Sequence, residues 1–282
     1  MSGGPRRRLD HELVRRGLMP SRRQAQAAVD EGRVLVGGAF ADKPARLVAA
    51  GEAVLLTGPP PRFVSRGGEK LDAALDRFGV EVAGRHALDA GASTGGFTDC
   101  LLQRAAASVL AIDVGHGQID ARLRSDPRVA VHERTNIRTL RAGSLHGAAG
   151  AFRPVRVVTA DLSFISLVPV VPVLAGPLLE PGGELVLLVK PQFEAGKAEV
   201  TRGKGVVRDP EIWSRAILGV ASVLQSVGTG IMGVMPSPLT GAAGNTEFFV
   251  HAVSGAPPAP TTVLRAQVEA AVGEAHARSP RS

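Results

Sequence analysis

The chain has 282 residues, room for one large domain or two of unequal size, and 44% of them are hydrophobic, enough for a substantial core. A single cysteine rules out an internal disulfide framework and suits a reducing cytoplasm. No uninterrupted apolar run reaches the roughly 18 residues of a membrane span, and the net charge of +7 favours a polyanionic partner. The N-terminal MSGGPRRRLDHEL is basic but lacks the apolar stretch of a secretory signal.

In chain order, residues 1–5 read as a loose tail and residues 6–16 as a helix with Leu9, Leu13 and Val14 on one face, stopped by Gly17. Ser21 caps a second helix whose inner face carries Ala25, Ala28 and Val29, and Gly32 ends it. Residues 33–36 and 52–56 read as strands, with a tight turn at Gly37-Gly38. Residues 6–57 thus make a small α+β unit. Residues 1–62 hold eleven Lys and Arg against six Asp and Glu, a net of +5 and most of the chain's excess. Residues 58–63 form a linker that Pro59-Pro60-Pro61 makes stiff.

From Val64 the pattern changes. Leu71, Ala74, Leu75 and Phe78 space as one helix face, with Lys70 in the first turn, where the helix dipole does not favour a cation. Strands are expected at 86–89, 108–113, 129–132, 155–160, 184–190, 229–235 and 247–253, with helices at 96–105, 117–124, 165–178 and 210–227. Such βα alternation predicts a parallel sheet covered on both faces, with ligands at the carboxyl ends of its strands. The short connection 236–245 makes the last two strands an antiparallel pair at the sheet edge, the plan of Rossmann-like methyltransferases. This domain spans 64–254, and the tail 255–282 has one more helix over 262–277.

The stretch Asp89-Ala90-Gly91-Ala92-Ser93-Thr94-Gly95-Gly96 joins the first strand to a helix start, a corner that lets backbone approach a nucleotide closely. Its spacing is not the G-x-G-x-x-G of dinucleotide enzymes, which argues against an NAD-dependent dehydrogenase. Asp113 ends the next strand about twenty residues on, where Rossmann-like sites take ribose hydroxyls. Asp161 and Lys190 close the buried apolar strands 155–160 and 184–190, and Glu247 opens the last; packing alone does not put charges there. Cys100, His116 and Trp213 read as structural, and Phe164 and Phe193 are the aromatics best placed to stack on a base.

Two sets of residues resemble known families. Arg8-Leu9-Asp10, Leu13-Val14, Gly17-Leu18, Ser21-Arg22, Ala25, Gly32-Arg33-Val34-Leu35-Val36-Gly37-Gly38 and Lys43-Pro44 resemble the S4 RNA-binding domain. That likeness implies phosphate contacts from Arg22, Arg23 and Lys43, then Arg15 and Arg16. Lys70, Asp161, Lys190 and Glu247 resemble the catalytic tetrad of FtsJ-type ribose 2′-O-methyltransferases. With Val64-Ser65-Arg66-Gly67-Gly68-Glu69-Lys70-Leu71, Asp113-Val114-Gly115-His116-Gly117-Gln118, Asp161-Leu162-Ser163-Phe164-Ile165-Ser166, Lys190-Pro191-Gln192-Phe193-Glu194 and Gly205-Val206-Val207-Arg208-Asp209, the chain resembles the TlyA (hemolysin A) family of ribosomal RNA methyltransferases.

The resemblance implies an α/β protein: a Rossmann-like seven-stranded methyltransferase sheet with a small N-terminal α+β S4-type RNA-binding domain. It implies S-adenosylmethionine as cofactor, with Gly91, Ser93, Thr94 and Gly95 beside its methionine part, Asp89 toward its ammonium, Asp113 on its ribose, and Asn136 and Ile137 flanking its adenine. The substrate would be cytidine ribose in ribosomal RNA of the small subunit, the large one or both. Lys190 would take the 2′-OH proton, which requires surroundings that favour the neutral amine. Asp161 would orient it, Lys70 would both disfavour the charged form of Lys190 and steady the alkoxide, and Glu247 would position Lys70 or the ribose. A sulfonium methyl is already activated, so no metal is called for. The protein is expected to be cytoplasmic, monomeric and free of membranes. The rival readings are a non-catalytic RNA-binding protein that keeps a Rossmann-like domain and, from the family name, a membrane-active hemolysin.

Overall fold

The computed structural model describes residues 6–278 except Pro20, Glu31, Pro60, Lys204 and Ala242, and leaves out the side chains of Arg23, Ala142, Lys197, Ala198 and Arg202. The expected phosphate contact by Arg23 and the stiffness expected from Pro60 therefore lie outside the described residues. Two compact units divide between Pro61 and Arg62.

The first unit comprises β1 (Arg7–Arg8), α1 (Leu9–Arg15), α2 (Arg22–Asp30), β2 (Val34–Val36), β3 (Ala39–Phe40), β4 (Leu47–Val48) and β5 (Val54–Leu56). Leu9, Leu13, Ala25, Ala28, Val29, Val34 and Val48 form its core. The first helix starts three residues later than expected, because Arg7 and Arg8 pair antiparallel with Val48 and Leu47. Asp10, fully buried, holds the unit together. It accepts from Arg8 (3.1 Å) and Arg22 (3.1 Å), from Gln26 (2.8 Å) and from its neighbour's backbone, His11 N (2.9 Å). Burial opposes its charge, but the Arg8, Gln26 and Arg22 donors outweigh it and hold the carboxyl well below the usual range.

The second unit begins with α3 (Arg66–Phe78), then β6 (His86–Ala90), α4 (Gly96–Gln103), β7 (Ser108–Ile112), α5 (Ala121–Ser125) and β8 (Val129–His132). A small hairpin of β9 (His146–Gly147) and β10 (Gly150–Ala151) follows, then β11 (Val155–Ala160), α6 (Val171–Leu174), β12 (Leu179–Val189), α7 (Pro191–Glu194), α8 (Lys197–Arg202), α9 (Pro210–Ser226), β13 (Thr229–Pro236), β14 (Phe248–Ser254) and α10 (Thr261–Arg278). Seven strands form one sheet in the order β13-β14-β12-β11-β6-β7-β8, and β14 alone runs against the rest. It enters between β12 and β13 rather than lying outermost. One face of the sheet packs on α9 and α10 through Leu187, Val250, Trp213 and Val268. The other packs on α3 and α4 through Val186, Phe249, Leu71 and Leu101.

Two expected elements shrink. The helix at 165–178 survives only as Val171–Leu174, since Pro169 and Pro177 border it and Pro172 sits in its first turn. The helix at 117–124 is shortened to Ala121–Ser125, with Asp120 as its cap and Gly117 in the left-handed region at φ 68°. Conversely, α3 starts at Arg66, so Lys70 is not in the first turn but deeper, in a buried position.

Replacing Asp10 with Asn should weaken the first unit by about 2 kcal/mol at pH 7, the scale of hydrogen bonds to a charged group. A carboxyl with a depressed folded pKa stabilises above its unfolded pKa and loses that contribution as pH falls toward the folded value. The gap between wild type and variant in denaturant unfolding should therefore close as pH drops below about 4.

Candidate active site

The parallel strands β6, β11 and β12 end at one edge of the sheet, and the reversed β14 starts there. Residues at these ends are brought side by side by register: Ala90 pairs with Ala160, Ala160 with Leu187, and Val189 with Phe248. The next residues along are Gly91, Asp161, Lys190 and Glu247.

The glycine loop is fastened from several sides. Asp161 N donates to Ala90 O at 2.9 Å, and a Cβ on Gly91 (φ 86°) would stand 2.5 Å from Asp161 O. Gly95 N donates to Ala92 O at 2.7 Å, and a side chain on Gly95 (φ 96°) would collide with Leu123. Thr94 O accepts from Asp120 N at 3.1 Å. Asp113 lies just past β7, half-buried; its two oxygens accept from Ser93 N (2.8 Å) and Gly115 N (2.6 Å), stitching the glycine loop to the loop after β7. Each oxygen keeps a second lone pair for a ligand hydroxyl.

Asp89 sits under this loop with no exposure. Thr98 Oγ1, one turn into α4, donates to its Oδ2 at 2.7 Å, while its Oδ1 has no hydrogen-bond partner. Burial pushes its carboxyl up to about 7, against the Thr98 hydrogen bond and with help from the charges of Asp161 and Asp113.

Two ion pairs occupy the strand-end edge. Lys70 Nζ donates to Glu247 Oε2 at 2.6 Å, and both residues are buried. The pair closes around Gly241, where a Cβ would lie 2.5 Å from Glu247 Oε1. Lys190 Nζ lies 2.5 Å from Asp161 Oδ1, an ion contact rather than an aligned hydrogen bond, and donates to Ser163 Oγ at 3.0 Å. Phe193 lies under the same ammonium, 5.9 Å from Nζ to ring centroid, and Phe164 tilts against Phe193 at 5.4 Å. Phe164 is 88% exposed and held at φ 66°, a conformation that a bulky residue adopts only when its surroundings impose it. The loop bearing Ser163 and Phe164 is anchored by Glu194, which accepts from Ser166 Oγ (2.5 Å) and Leu167 N (2.7 Å).

Helix α3 reaches this edge because its start is packed tightly. Phe63 is buried against Gly68, where a Cβ would fall 2.3 Å from the phenylalanine side chain. Ser65 Oγ similarly fills the space over Gly96 at the start of α4.

Lys70, Asp161, Lys190, Glu247, Asp89, Gly91, Ser93, Thr94, Gly95 and Asp113 therefore gather at one edge. Two expected cofactor contacts do not fare alike. Asn136 is exposed, and its side chain caps the short turn Ile137–Thr139 by accepting from Arg138 N at 3.1 Å. Ile137 is 3% exposed and packs in the core with Leu110, Leu140 and Leu145, so it is a core residue rather than a wall of an open site. Thr98, Ser163 and Glu194 are given no role by the sequence, although Ser163 and Glu194 fall within the motifs that carry the resemblance. Cys100 is buried and its thiol is pushed up to about 12 by burial, which excludes it as a nucleophile.

In the first unit, Arg16 is a correction. Its guanidinium donates to Glu12 (2.7 Å), Glu52 O (2.8 Å) and Ala50 O (3.1 Å), so it caps the unit's own turns and has little left to offer a phosphate. Arg15 and Arg22 also bond carboxylates, Glu12 and Asp10, but stay half exposed, and Lys43 is exposed.

A seven-stranded sheet with one reversed strand, a glycine loop after its first strand and charged residues at its strand ends defines the Rossmann-like methyltransferases as a class. The comparisons narrow it. The profile of FtsJ-like methyltransferases matches residues 63–253, and that of the S4 domain matches residues 7–54. The 16S/23S rRNA (cytidine-2′-O)-methyltransferase TlyA of Mycobacterium tuberculosis is 49% identical over 87% of this chain and 89% of its own. Hemolysin A of Brachyspira hyodysenteriae is 35% identical over 86% of this chain and 98% of its own. A solved structure from Streptococcus thermophilus superposes with a TM-score of 0.75 at 36% identity, covering 97% of this chain and 96% of that one. The chain belongs to the TlyA family of FtsJ-like methyltransferases. Among the described residues no helix is long and apolar enough to cross a membrane.

Asp89 carries a pH signature. Its raised folded pKa means that the folded state holds the proton more tightly than the unfolded one, so its ionisation destabilises progressively as pH rises from about 4 to about 7. Asp89→Asn, neutral throughout, should match wild type in denaturant midpoint near pH 4 and exceed it by about 4 kcal/mol at pH 8.

Proposed function

We propose that this enzyme transfers a methyl group from S-adenosylmethionine to the ribose 2′-OH of a cytidine in ribosomal RNA. The observation that carries the reading is the double ion pair, Lys70–Glu247 and Lys190–Asp161, set beside the glycine loop on one sheet edge. The M. tuberculosis relative bears the name of that activity, and the S4 unit supplies a cationic surface suited to structured RNA.

The residues fit the cofactor. A fully buried carboxylate oxygen without a partner, Asp89 Oδ1, is suited to its ammonium, directly or through water. Gly91 and Gly95, both at positive φ, let the loop pack closely on Asp161 O and Leu123, which fixes the turn that would border the methionine part, and Asp113 has lone pairs left for ribose hydroxyls. When bound, the cofactor supplies a methyl on a sulfonium, ready for in-line transfer to oxygen.

The protein's task is then to hold the 2′-OH in line and take its proton. Lys190 serves as the base in its neutral amine form, and the ammonium that results is received by Asp161 and Ser163. Lys70, kept charged and fixed by Glu247, faces the oxygen as its negative charge develops. Phe164 and Phe193 offer apolar ring surface for the target base, which stacking would hold beside Lys190.

The decisive assay is transfer of a tritiated methyl group to unmodified ribosomal subunits, followed by mapping of the labelled nucleotide. Lys190→Ala should lose transfer by at least about a hundredfold while retaining S-adenosylmethionine binding by calorimetry. Lys190→Arg, which keeps the charge and hydrogen bonds but cannot give up a proton, should be as inactive as the alanine variant. An active arginine variant would assign Lys190 to positioning only.

A further inference from the structure

The segment Gly205-Val206-Val207-Arg208-Asp209 takes no part in the site above, yet it is held closely. Val207 N donates to Asn245 Oδ1 at 2.9 Å, Asn245 Nδ2 returns a bond to Gly205 O at 2.9 Å, and Trp213 Nε1 donates to Val207 O at 3.0 Å. Asn245 and Trp213 are both buried, and Asp209 caps α9 by accepting from Glu211 N. From this frame Arg208 projects, exposed, with no ion pair or hydrogen bond among the described residues. A rigid support under an unpaired arginine is a poor way to build stability, since an exposed cation contributes little to it. It is a good way to present a guanidinium.

What Arg208 faces is a groove of about 1150 Å³ that it lines together with His276 and Arg278 from the end of α10, and with Thr240 and Thr246 from the loop between β13 and β14. Among the described residues no carboxylate lines it. Arg278 is balanced by Glu274 at 2.5 Å, so among the described lining residues Arg208 is the uncompensated charge. Thr246 directly precedes Glu247, which brings the groove to the border of the active site. The strand order fixes its direction: β6 and β7 carry the glycine loop on one side of β11, β12 and β14, and the groove lies on the other, at β14 and β13. A polynucleotide whose ribose reaches Lys190 from the side free of the cofactor loop runs over this groove.

We propose that the groove is a second RNA-contact surface, on the methyltransferase unit itself, where Arg208 holds a backbone phosphate of the strand next to the target nucleotide. The threonine hydroxyls complete the lining with donors for phosphate and ribose oxygens. Asn245 links the surface to the chemistry, since it clamps the Arg208 segment and lies two residues before Glu247. The proposal rests on the RNA methyltransferase reading given above.

The test compares full-length wild type with Arg208→Glu, Arg208→Lys and Arg278→Glu. Thermal midpoint and S-adenosylmethionine affinity should be unchanged, because Arg208 bonds nothing within the chain. For deproteinised, unmodified ribosomal RNA, Arg208→Glu should raise KM about tenfold and reduce the slope of log KM against log salt by about 1. Arg208→Lys should recover most of the loss, and Arg278→Glu, on the other wall, should shift KM in the same direction. A KM and salt slope equal to wild type in Arg208→Glu would overturn the proposal. So would a loss seen with intact subunits but not with naked RNA, which would assign the groove to a ribosomal protein. If wild type methylates no ribosomal RNA, the methyltransferase reading itself fails. The groove is then judged by the salt dependence of RNA binding alone, where equality of Arg208→Glu with wild type refutes it.

Discussion

A lysine that stays charged is buried at tolerable cost only against a carboxylate, and that requirement organises the catalytic unit. Lys70 and Glu247 are 177 residues apart in the chain, on a helix and at the start of a strand, and neither could be inside without the other. Their contact fixes α3 over the edge of the sheet. Lys190 and Asp161 repeat the arrangement between neighbouring strand ends. Buried pairs of this kind add little net stability; what they secure is position, with two lysines held close to the point where the 2′-OH must give up its proton.

The same economy separates the two units. In the S4 unit, much of the positive charge that stands out in the composition is engaged inwardly: Asp10 gathers Arg8 and Arg22, and Glu12 gathers Arg15 and Arg16. Net charge therefore overstates the surface available to a nucleic acid. Arg16 spends all three nitrogens on the unit itself, whereas Arg22 can satisfy Asp10 with one nitrogen and still offer others.

Much of this was legible in the sequence. Asp161 and Lys190 were conspicuous because charges rarely end apolar strands, and the alternation of elements gave the sheet and its reversed strand. Lys70 was visible only as a misfit with a helix dipole, and its helix start was misplaced, since nothing local announces that Ser65, Arg66 and the two glycines belong to α3. Pairing with Glu247 is a long-range fact that no window of residues contains. Thr98, Ser163 and Glu194 look like any hydroxyl or acid until the fold sets them against Asp89, Lys190 and the loop after β11. Ile137 failed for the opposite reason: an apolar residue after a strand reads the same whether it lines a site or fills the core.

The reversal of β14 has a consequence for how this domain can change length. Because β14 runs antiparallel to both neighbours, Glu247 is set by the ladder Val189–Phe248 and not by the connection that precedes it. Insertions in that connection leave the carboxylate where it is, provided Thr240, Gly241 and Asn245 keep their contacts. One residue added within β14 itself would turn Phe248 and Phe249 to opposite faces and carry Glu247 away from Lys70. The domain therefore has a loop that can lengthen between its fixed points beside a strand that cannot, and variation in substrate grip can accumulate in the first without disturbing the chemistry anchored by the second.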